Sequence, residues 1–240
     1  MISELVEHGW MFYVSHSGGK DSQAMYHVIR DQVPDGLITV VHADLGEVEW
    51  HGVQDHIRNT IAHPLHVVRA EKTFFDMVRR RAASRPDAPS WPSAQHRQCT
   101  SDLKRGPIEK FIRNNMKTRG LKLAVNCIGL RAEESSARSK APVVRLNKSL
   151  SKAGREVINY LPIHGLTTRD VFDVIEDHGQ DPFWAYEQNE RLSCVFCIMG
   201  SRNDLQHGRR QRPELYQAYL DLEKETGWTM FQSGSLSEKA

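Results

Sequence analysis

The six residues 17–22 constrain the fold more than any other part of this 240-residue chain. Their order is Ser-Gly-Gly-Lys-Asp-Ser, and they follow the apolar run 10–14 after two intervening residues. This pattern predicts a strand that ends in a glycine turn, after which a helix begins at Asp21 or Ser22. Such a turn directs backbone N–H groups and a helix N-terminus at one point, and Lys20 adds a positive charge. We therefore predict that this segment, the glycine loop, binds phosphate groups.

The glycine loop differs from a Walker A loop. That motif needs a glycine five residues before its Gly-Lys pair and a Ser or Thr after the lysine. Here Val14 and Asp21 occupy those two places. A turn that only opens a helix is the simpler alternative, but the fit of all six positions and of both flanking elements favours phosphate binding.

Apolar runs separated by amphipathic stretches predict alternating strands and helices along most of the chain. The expected strands are about 11–15, 37–42, 65–68, 121–128 and 157–161, the expected helices about 21–30, 50–61, 73–83 and 107–117, and the expected loops 84–98 and 131–154. The strand runs are apolar on both faces, as in parallel sheets covered by helices. The predicted fold class is α/β, with an open, mostly parallel five-stranded sheet and helices on both faces.

Two domains are expected, because the alternation of strands and helices gives way to a mostly helical pattern after residue 162. Residues 1–162 form the α/β domain that carries the glycine loop, and residues 163–240 form a mostly helical C-terminal extension with a Cys-x-x-Cys pair. Within the extension, one helix is predicted over 168–179 with Thr168 as its cap. Another is predicted over 213–227.

The bulk composition is that of a soluble globular protein, with 39% hydrophobic and 26% charged residues and no apolar run long enough to span a membrane. Residues 1–4 lack the basic start and apolar centre of a signal peptide, so the cytoplasm is the expected location. The net charge of +2 is too small to indicate nucleic-acid binding by itself. Two basic stretches, 138–155 and 202–212, fit phosphate backbones and solvated loops equally well.

The order Ser-Gly-Gly-Lys-Asp-Ser resembles the PP-loop of the ATP pyrophosphatase superfamily, whose members cut ATP between the α- and β-phosphates and transfer AMP. The resemblance implies that ATP and Mg²⁺ bind here and that Lys20 and Asp21 are catalytic. It also implies that the end of strand two covers the adenine and that Asp44 holds Mg²⁺ or ribose; capping the next turn is the alternative role of Asp44. The residues expected to bind the nucleotide are Ser15, Ser17, Gly18, Gly19, Lys20, Asp21, Ser22, His42, Ala43, Asp44 and Gly129.

The run 129–138, Gly-Leu-Arg-Ala-Glu-Glu-Ser-Ser-Ala-Arg, resembles a second signature of the phosphoadenylylsulfate reductase-like branch of this superfamily. In that interpretation Gly129 lets the nucleotide approach the backbone. Arg131 and Arg138 are then catalytic residues that neutralise phosphate charge as pyrophosphate leaves.

Four cysteines in a chain of this kind favour metal binding or catalysis over disulfides. Cys194 and Cys197 have metal-ligand spacing, and Cys99 is the expected third ligand. Cys99 is predicted to open a helix near several cations, which should favour its thiolate form. Cys127 is interpreted as a core residue, with a role as fourth ligand as the alternative. Three cysteines suit a [4Fe–4S] cluster with one open iron, which we prefer over structural zinc.

The segments around these cysteines resemble those of PP-loop proteins that move sulfur, among them DNA phosphorothioation enzymes, tRNA thiolases and adenylylsulfate reductases. The resemblance implies an ATP pyrophosphatase that adenylates a nucleic-acid oxygen for sulfur insertion, with DNA preferred over tRNA and a cysteine desulfurase as the sulfur donor. No cysteine follows Cys197, so the nucleophilic thiol of phosphoadenylylsulfate reductases is not found. A phosphoadenylylsulfate or adenylylsulfate reductase and a non-catalytic, nucleotide-sensing regulator that binds nucleic acid are the alternatives, and a homo-oligomer is left open.

Overall fold

A six-stranded sheet is the framework of the computed structural model, which describes residues 1–240. The strands are β1 Met11–Ser15, β2 Ile38–Asp44, β3 Leu65–Arg69, β4 Leu123–Cys127, β5 Val144–Leu146 and β6 Glu156–Tyr160, in the order β3-β2-β1-β4-β6-β5. β1 runs parallel to β2 and β4, and β4 runs parallel to β6, whereas β5 pairs antiparallel with β6. The strand order changes direction between β1 and β4, which is where open α/β sheets bind their ligands.

Helices connect these strands and make up most of the C-terminal part. They are α1 Ile2–Glu7, α2 Lys20–Arg30, α3 Val53–Thr60, α4 Phe74–Ser84, α5 Gly106–Thr118, α6 Ser136–Ser139, α7 Thr168–Asp177, α8 Arg202–Gln211, α9 Pro213–Thr226 and α10 Leu236–Lys239. A π-helix, Cys99–Arg105, leads directly into α5. No helix combines the length and the apolar character that crossing a membrane requires.

The predicted α/β class is confirmed, and β1 has the predicted bounds. The predicted count of five strands is wrong by one, because β5 lies within 131–154, where a loop was expected. β5 has only three residues, two of them exposed, so its sequence carries no periodicity that could be recognised. The strand expected at 157–161 is β6.

Helix ends follow the local sequence closely. α7 is capped by Thr167 and not by Thr168 as predicted, since the Thr167 side chain accepts a hydrogen bond from the Asp170 N–H. α9 ends at Gly227 with φ +70°, the left-handed C-cap that the sequence predicts.

The chain forms two compact units. The first, residues 1–43, 52–68 and 108–183, contains nearly all of the sheet, and the second consists of residues 44–51, 69–107 and 184–240. The boundary expected between residues 162 and 163 stays a prediction.

The core of the first unit covers both faces of the sheet. Phe12 and Val14 of β1 are completely buried in a cluster that includes apolar residues of α2. Met11 and Tyr13 point to the other face and pack with α5. Because alternate residues of β1 are buried on opposite sides, the strand is apolar throughout, as the sequence indicates.

The core of the second unit is aromatic and centred on Tyr219 of α9. The ring of Tyr219 stacks on Phe74 at 5.7 Å and contacts Phe75 at 5.1 Å, Phe196 at 5.2 Å and Trp91 at 5.8 Å, all between ring centroids. These contacts join α4, α9 and the segment between Cys194 and Cys197 into one packed body.

Candidate active site

The glycine loop connects β1 to α2 as the sequence predicts, although the helix begins at Lys20 and not at Asp21 or Ser22. Gly18 has φ +79°, which residues with a Cβ rarely adopt, and Gly19 is the N-cap from which α2 begins at Lys20. The Ser22 hydroxyl donates to the Gly19 carbonyl over 2.8 Å and accepts the Ser17 N–H over 3.1 Å. The loop is thereby fixed at the carboxyl end of β1 with the N-terminus of an eleven-residue helix behind it.

His16 lies beneath the glycine loop and was missed by the sequence reasoning. Its Nδ1 accepts the Gly18 N–H over 3.1 Å, and its carbonyl accepts a hydrogen bond from Nδ1 of His42 over 2.9 Å. Burial, with smaller contributions from neighbouring histidines, lowers the pKa of His16 to about 3. A neutral imidazole therefore supports the turn at Gly18, with its proton on Nε2, a buried atom with no hydrogen-bond partner.

A buried ion network joins the glycine loop to the end of β4. Nε of Arg131 donates to Oδ1 of Asp21 over 2.6 Å, and Nζ of Lys20 donates to Oδ2 over 3.0 Å. Arg131 is only 3% exposed and also bonds Glu133 over 2.6 Å. Burial alone would lower the pKa of Arg131, but these carboxylates raise it, so the guanidinium stays charged. The structure thus brings together three of the predicted catalytic residues.

Gly129 lies directly against the glycine loop. A Cβ at this position would be 3.2 Å from the carbonyl oxygen of Asp21. Any residue with a Cβ would have to displace the Asp21 carbonyl in order to occupy this position. Gly129 therefore allows β4 to end against the start of α2.

The fourth predicted catalytic residue, Arg138, has a different environment. Its guanidinium pairs with Glu134 four residues earlier in the chain, and its carbonyl accepts a hydrogen bond from Nε2 of His164. Arg138 is partly exposed, whereas Arg131 is buried. Ser15, His42 and Ala43 are strand residues, and the last two are buried in β2.

Asp44, the last residue of β2, belongs to the second unit. Arg69 donates to its Oδ2, and the Gly46 N–H donates to its Oδ1 over 2.7 Å. Asp44 therefore caps the turn after β2, the simpler of its two expected roles, and its role toward Mg²⁺ or ribose stays a prediction. With Lys72 and Phe74, Asp44 lines a cavity of about 190 Å³ that has charged walls and an apolar side.

The three cysteines predicted as metal ligands all lie in the second unit and are partly buried. They interact electrostatically with one another and with the ammonium group of Lys104, whose pKa they raise against the opposing effect of burial. The hydroxyl of Tyr219 is within electrostatic range of the same thiols and is buried with no hydrogen-bond partner. Lys104 is one of the cations that the sequence places near Cys99. Tyr219 was not predicted, because it reaches the cysteines through tertiary packing.

The expectation for the protonation of Cys99 is wrong. Burial raises its pKa, and the opposing effect of Lys104 does not cancel that. Burial likewise raises the pKa of Cys194 to about 12. Cys127 is completely buried in the core of the first unit, which confirms its interpretation as a core residue. Because burial raises the pKa of Cys99, Cys127 and Cys194, these three thiols are protonated at neutral pH unless a metal displaces their protons.

No group of three or more His, Cys, Asp or Glu side chains is arranged around a point where a single metal ion could bind. Structural zinc requires such convergence, with thiolate sulfurs about 2.3 Å from the ion. Cys99, Cys194 and Cys197 supply soft thiol ligands in one charged environment, a ligand type that both zinc and iron–sulfur clusters use. The [4Fe–4S] cluster stays a prediction.

Fold and site together define an open α/β protein with a glycine loop at the carboxyl end of its first strand, beside the point where the strand order changes direction. The chain belongs to the phosphoadenosine phosphosulfate reductase domain family, whose profile matches residues 11–199. No curated protein matches the sequence.

A solved structure has the same fold. It is the crystal structure of phosphoadenylyl-sulfate (PAPS) reductase from Candida auris in its phosphate complex, with a TM-score of 0.50 and 14% sequence identity. The similarity covers 80% of this chain and 86% of that chain. At this identity the likeness concerns the fold alone.

Proposed function

We propose that this protein is an ATP pyrophosphatase that adenylates an oxygen of a nucleic acid, with DNA as the favoured acceptor, in preparation for sulfur insertion. The observation that carries the proposal is the ion network of Lys20, Asp21 and Arg131 at the N-terminus of α2. Asp21 and Glu133 hold these two buried cations in fixed positions next to the glycine turn. Such a site suits a leaving group that gains negative charge.

The proposed chemistry is a nucleotidyl transfer. A non-bridging oxygen of a nucleic-acid phosphate attacks the α-phosphorus of ATP, and one P–O bond forms as the bond to the β-phosphate oxygen breaks. Pyrophosphate leaves with the electron pair of that bond. The residues of the glycine loop hold the β- and γ-phosphates, while Arg131, with Arg138, stabilises the charge on the leaving group.

Adenylation serves the later sulfur step because AMP is a good leaving group and oxide is a poor one. Asp44 is proposed to hold Mg²⁺ or the ribose. Cys99, Cys194 and Cys197 are proposed to hold a [4Fe–4S] cluster, which when bound supplies an iron site for sulfide. The implied sulfur donor is a cysteine desulfurase.

A sulfonucleotide reductase is the second candidate, favoured by the family to which the chain belongs and by the fold it shares with a phosphoadenylyl-sulfate reductase. The two candidates use the glycine loop differently. The pyrophosphatase cleaves ATP, whereas the reductase releases sulfite from a sulfonucleotide and needs a thiol reductant.

Product analysis separates these candidates. In the first reaction the protein, purified without oxygen, is incubated with ATP and duplex DNA, and pyrophosphate, AMP and ADP are quantified. A parallel reaction contains phosphoadenylylsulfate and thioredoxin, and sulfite is measured. DNA-dependent pyrophosphate without ADP supports the proposal, and Lys20→Ala should abolish it while Arg58→Gln, an exposed change on α3, should not. Sulfite release without pyrophosphate overturns it in favour of the reductase, and ADP plus orthophosphate overturns both.

A further inference from the structure

A basic cavity lies at the edge of the sheet opposite to the glycine loop. It has a volume of about 410 Å³ and is lined by the cations Lys117, Lys122 and Arg155 over the apolar side chains of Met116 and Leu121. No carboxylate lines it. A surface concavity with three cations and no anion among its lining residues is electrostatically suited to a negatively charged group.

The topology explains why these cations meet. β4 and β6 are parallel neighbours with Leu123 opposite Glu156, so the segments before the two strands lie side by side. The Glu156 N–H donates to the Lys122 carbonyl over 2.8 Å, which fixes Lys122 beside Arg155. The fold therefore holds two distant parts of the sequence in one basic surface.

Arg155 has an unsatisfied donor at this place. Its Nε is buried and has no hydrogen-bond partner. A buried donor left unpaired is destabilising, so the protein itself does not satisfy every donor of this guanidinium. The preceding turn is also strained, since Ala153 has φ +54°, a conformation that side chains with a Cβ disfavour.

We propose that the basic cavity binds a backbone phosphate of a nucleic acid, at a point separate from the glycine loop. In a parallel sheet the amino ends of β4 and β6 lie at the edge opposite to the carboxyl end of β1. The five residues of β4 separate the amino ends of the strands from their carboxyl ends, a distance of about 17 Å at the usual rise per residue. A nucleic acid advances about 3.4 Å per nucleotide, so a strand that contacts both edges spans about five nucleotides.

The nucleic acid is chosen over a small anion because further cations extend the surface beyond the cavity. Arg119 and Lys152 are exposed on the same two connecting segments. A single phosphate group would contact only the cations of the cavity, whereas a polyanion would also contact the exposed cations beyond it. The choice of nucleic acid rests in part on the proposed function, although the site itself does not.

The test is binding without ATP, so its result is independent of catalysis. Fluorescence anisotropy with a labelled DNA duplex compares the wild type with Lys122→Gln/Arg155→Gln and with the charge-matched control Arg30→Gln/Arg58→Gln, over a range of salt concentrations. We expect the cavity variant to bind about ten-fold or more weakly, with a salt dependence lower by about two released counterions, and the control to bind as the wild type does. Thermal unfolding verifies that each variant is folded.

A second measurement uses the wild-type protein alone. The Nε–H resonance of Arg155, assigned by its loss in Arg155→Lys, should shift on addition of the duplex and should not shift with inorganic phosphate at equal phosphate concentration. Equal affinities and salt slopes for the two variants overturn the proposal, as does a resonance that responds to inorganic phosphate and not to DNA. Failure of pyrophosphate release with DNA binding intact overturns only the proposed function.

Discussion

Nε of Arg131 donates to Oδ1 of Asp21 over 2.6 Å, although the two residues lie 110 positions apart in the chain. The bond connects the end of β4 with the first turn of α2. Lys20 occupies the other oxygen of the same carboxylate, so Asp21 holds the two cations in fixed positions. Asp21 thus has a positioning role, in addition to any contact with substrate, that the loop motif alone does not reveal.

Replacement of Arg131 by Gln should lower the rate of pyrophosphate release by about 100-fold or more, because a preorganised charge that stabilises the leaving group is lost. Arg131→Lys should recover part of the rate, since it keeps the charge and loses the paired geometry. Arg169→Gln is the matched control, because Arg169 is exposed and pairs only with Asp173 one turn along α7. Steady-state kinetics of pyrophosphate release give the comparison. An Arg131→Gln rate equal to that of the control would remove Arg131 from the proposed machinery.

Substitution of Gly129 by Ala should destabilise the protein by about 1–2 kcal/mol and raise the KM for ATP. The new methyl group would lie 3.2 Å from the Asp21 carbonyl oxygen, so the start of α2 must move by a few tenths of an ångström. Gly165→Ala is the control, because a Cβ there meets no atom within 4 Å and the backbone needs no positive φ. Urea unfolding and ATP titration measure both effects. Identical stability for the two variants would show that the two segments are not in contact as described.

Local sequence predicted those parts of the fold that local sequence determines. β1 has the predicted bounds because an apolar run is ended by glycines, and α9 ends at Gly227 because the turn needs a positive φ. β5 was missed because it is held by pairing with β6 and not by its own pattern.

In the candidate site, too, the features set by local sequence were predicted and those set by tertiary contacts were not. The strand, the glycine turn and the helix that follows it were predicted, with α2 beginning one residue earlier than expected. The role of His16 depends on a bond to Gly18 that only the folded turn creates. The protonation of Cys99 was predicted wrongly because nearby cations can be read from the sequence and burial cannot. Tyr219 was not predicted for a related reason, since its electrostatic interaction with Cys99 requires segments far apart in the chain.

The neutral, buried His16 should make stability depend on pH in a defined window. Its pKa is about 3 in the folded protein and about 6.5 when unfolded, so between these values the unfolded state binds the additional proton. Folding stability should therefore fall as the pH decreases from about 6.5 toward 3, with a maximal slope of about 1.4 kcal/mol per pH unit from this residue. His16→Asn keeps an acceptor for the Gly18 N–H and removes the titration.

The difference between wild type and His16→Asn isolates this contribution. Other groups with shifted pKa values that do not interact with His16, such as Asp102 and His207, remain in both proteins and cancel. Urea unfolding at several pH values from 7 down to about 4 should show the wild type losing stability faster than the variant. Parallel curves would mean that His16 takes up its proton equally in the folded and unfolded states, which contradicts its buried, neutral assignment.

Serine replacement of Cys99, Cys194 or Cys197 should abolish iron binding, since a hydroxyl is a poor ligand for iron in place of a thiolate. Cys127→Ala is the matched control: Cys127 is buried in the core of the first unit, so this variant should keep its iron and lose about 1 kcal/mol of stability through the small cavity. Iron and sulfide are measured after purification without oxygen, with about four irons expected in the wild type and in Cys127→Ala. Zinc in place of iron in the wild type would show that the cysteines bind a structural zinc ion and not a cluster. Full iron content in all three serine variants would show that these cysteines are not the iron ligands.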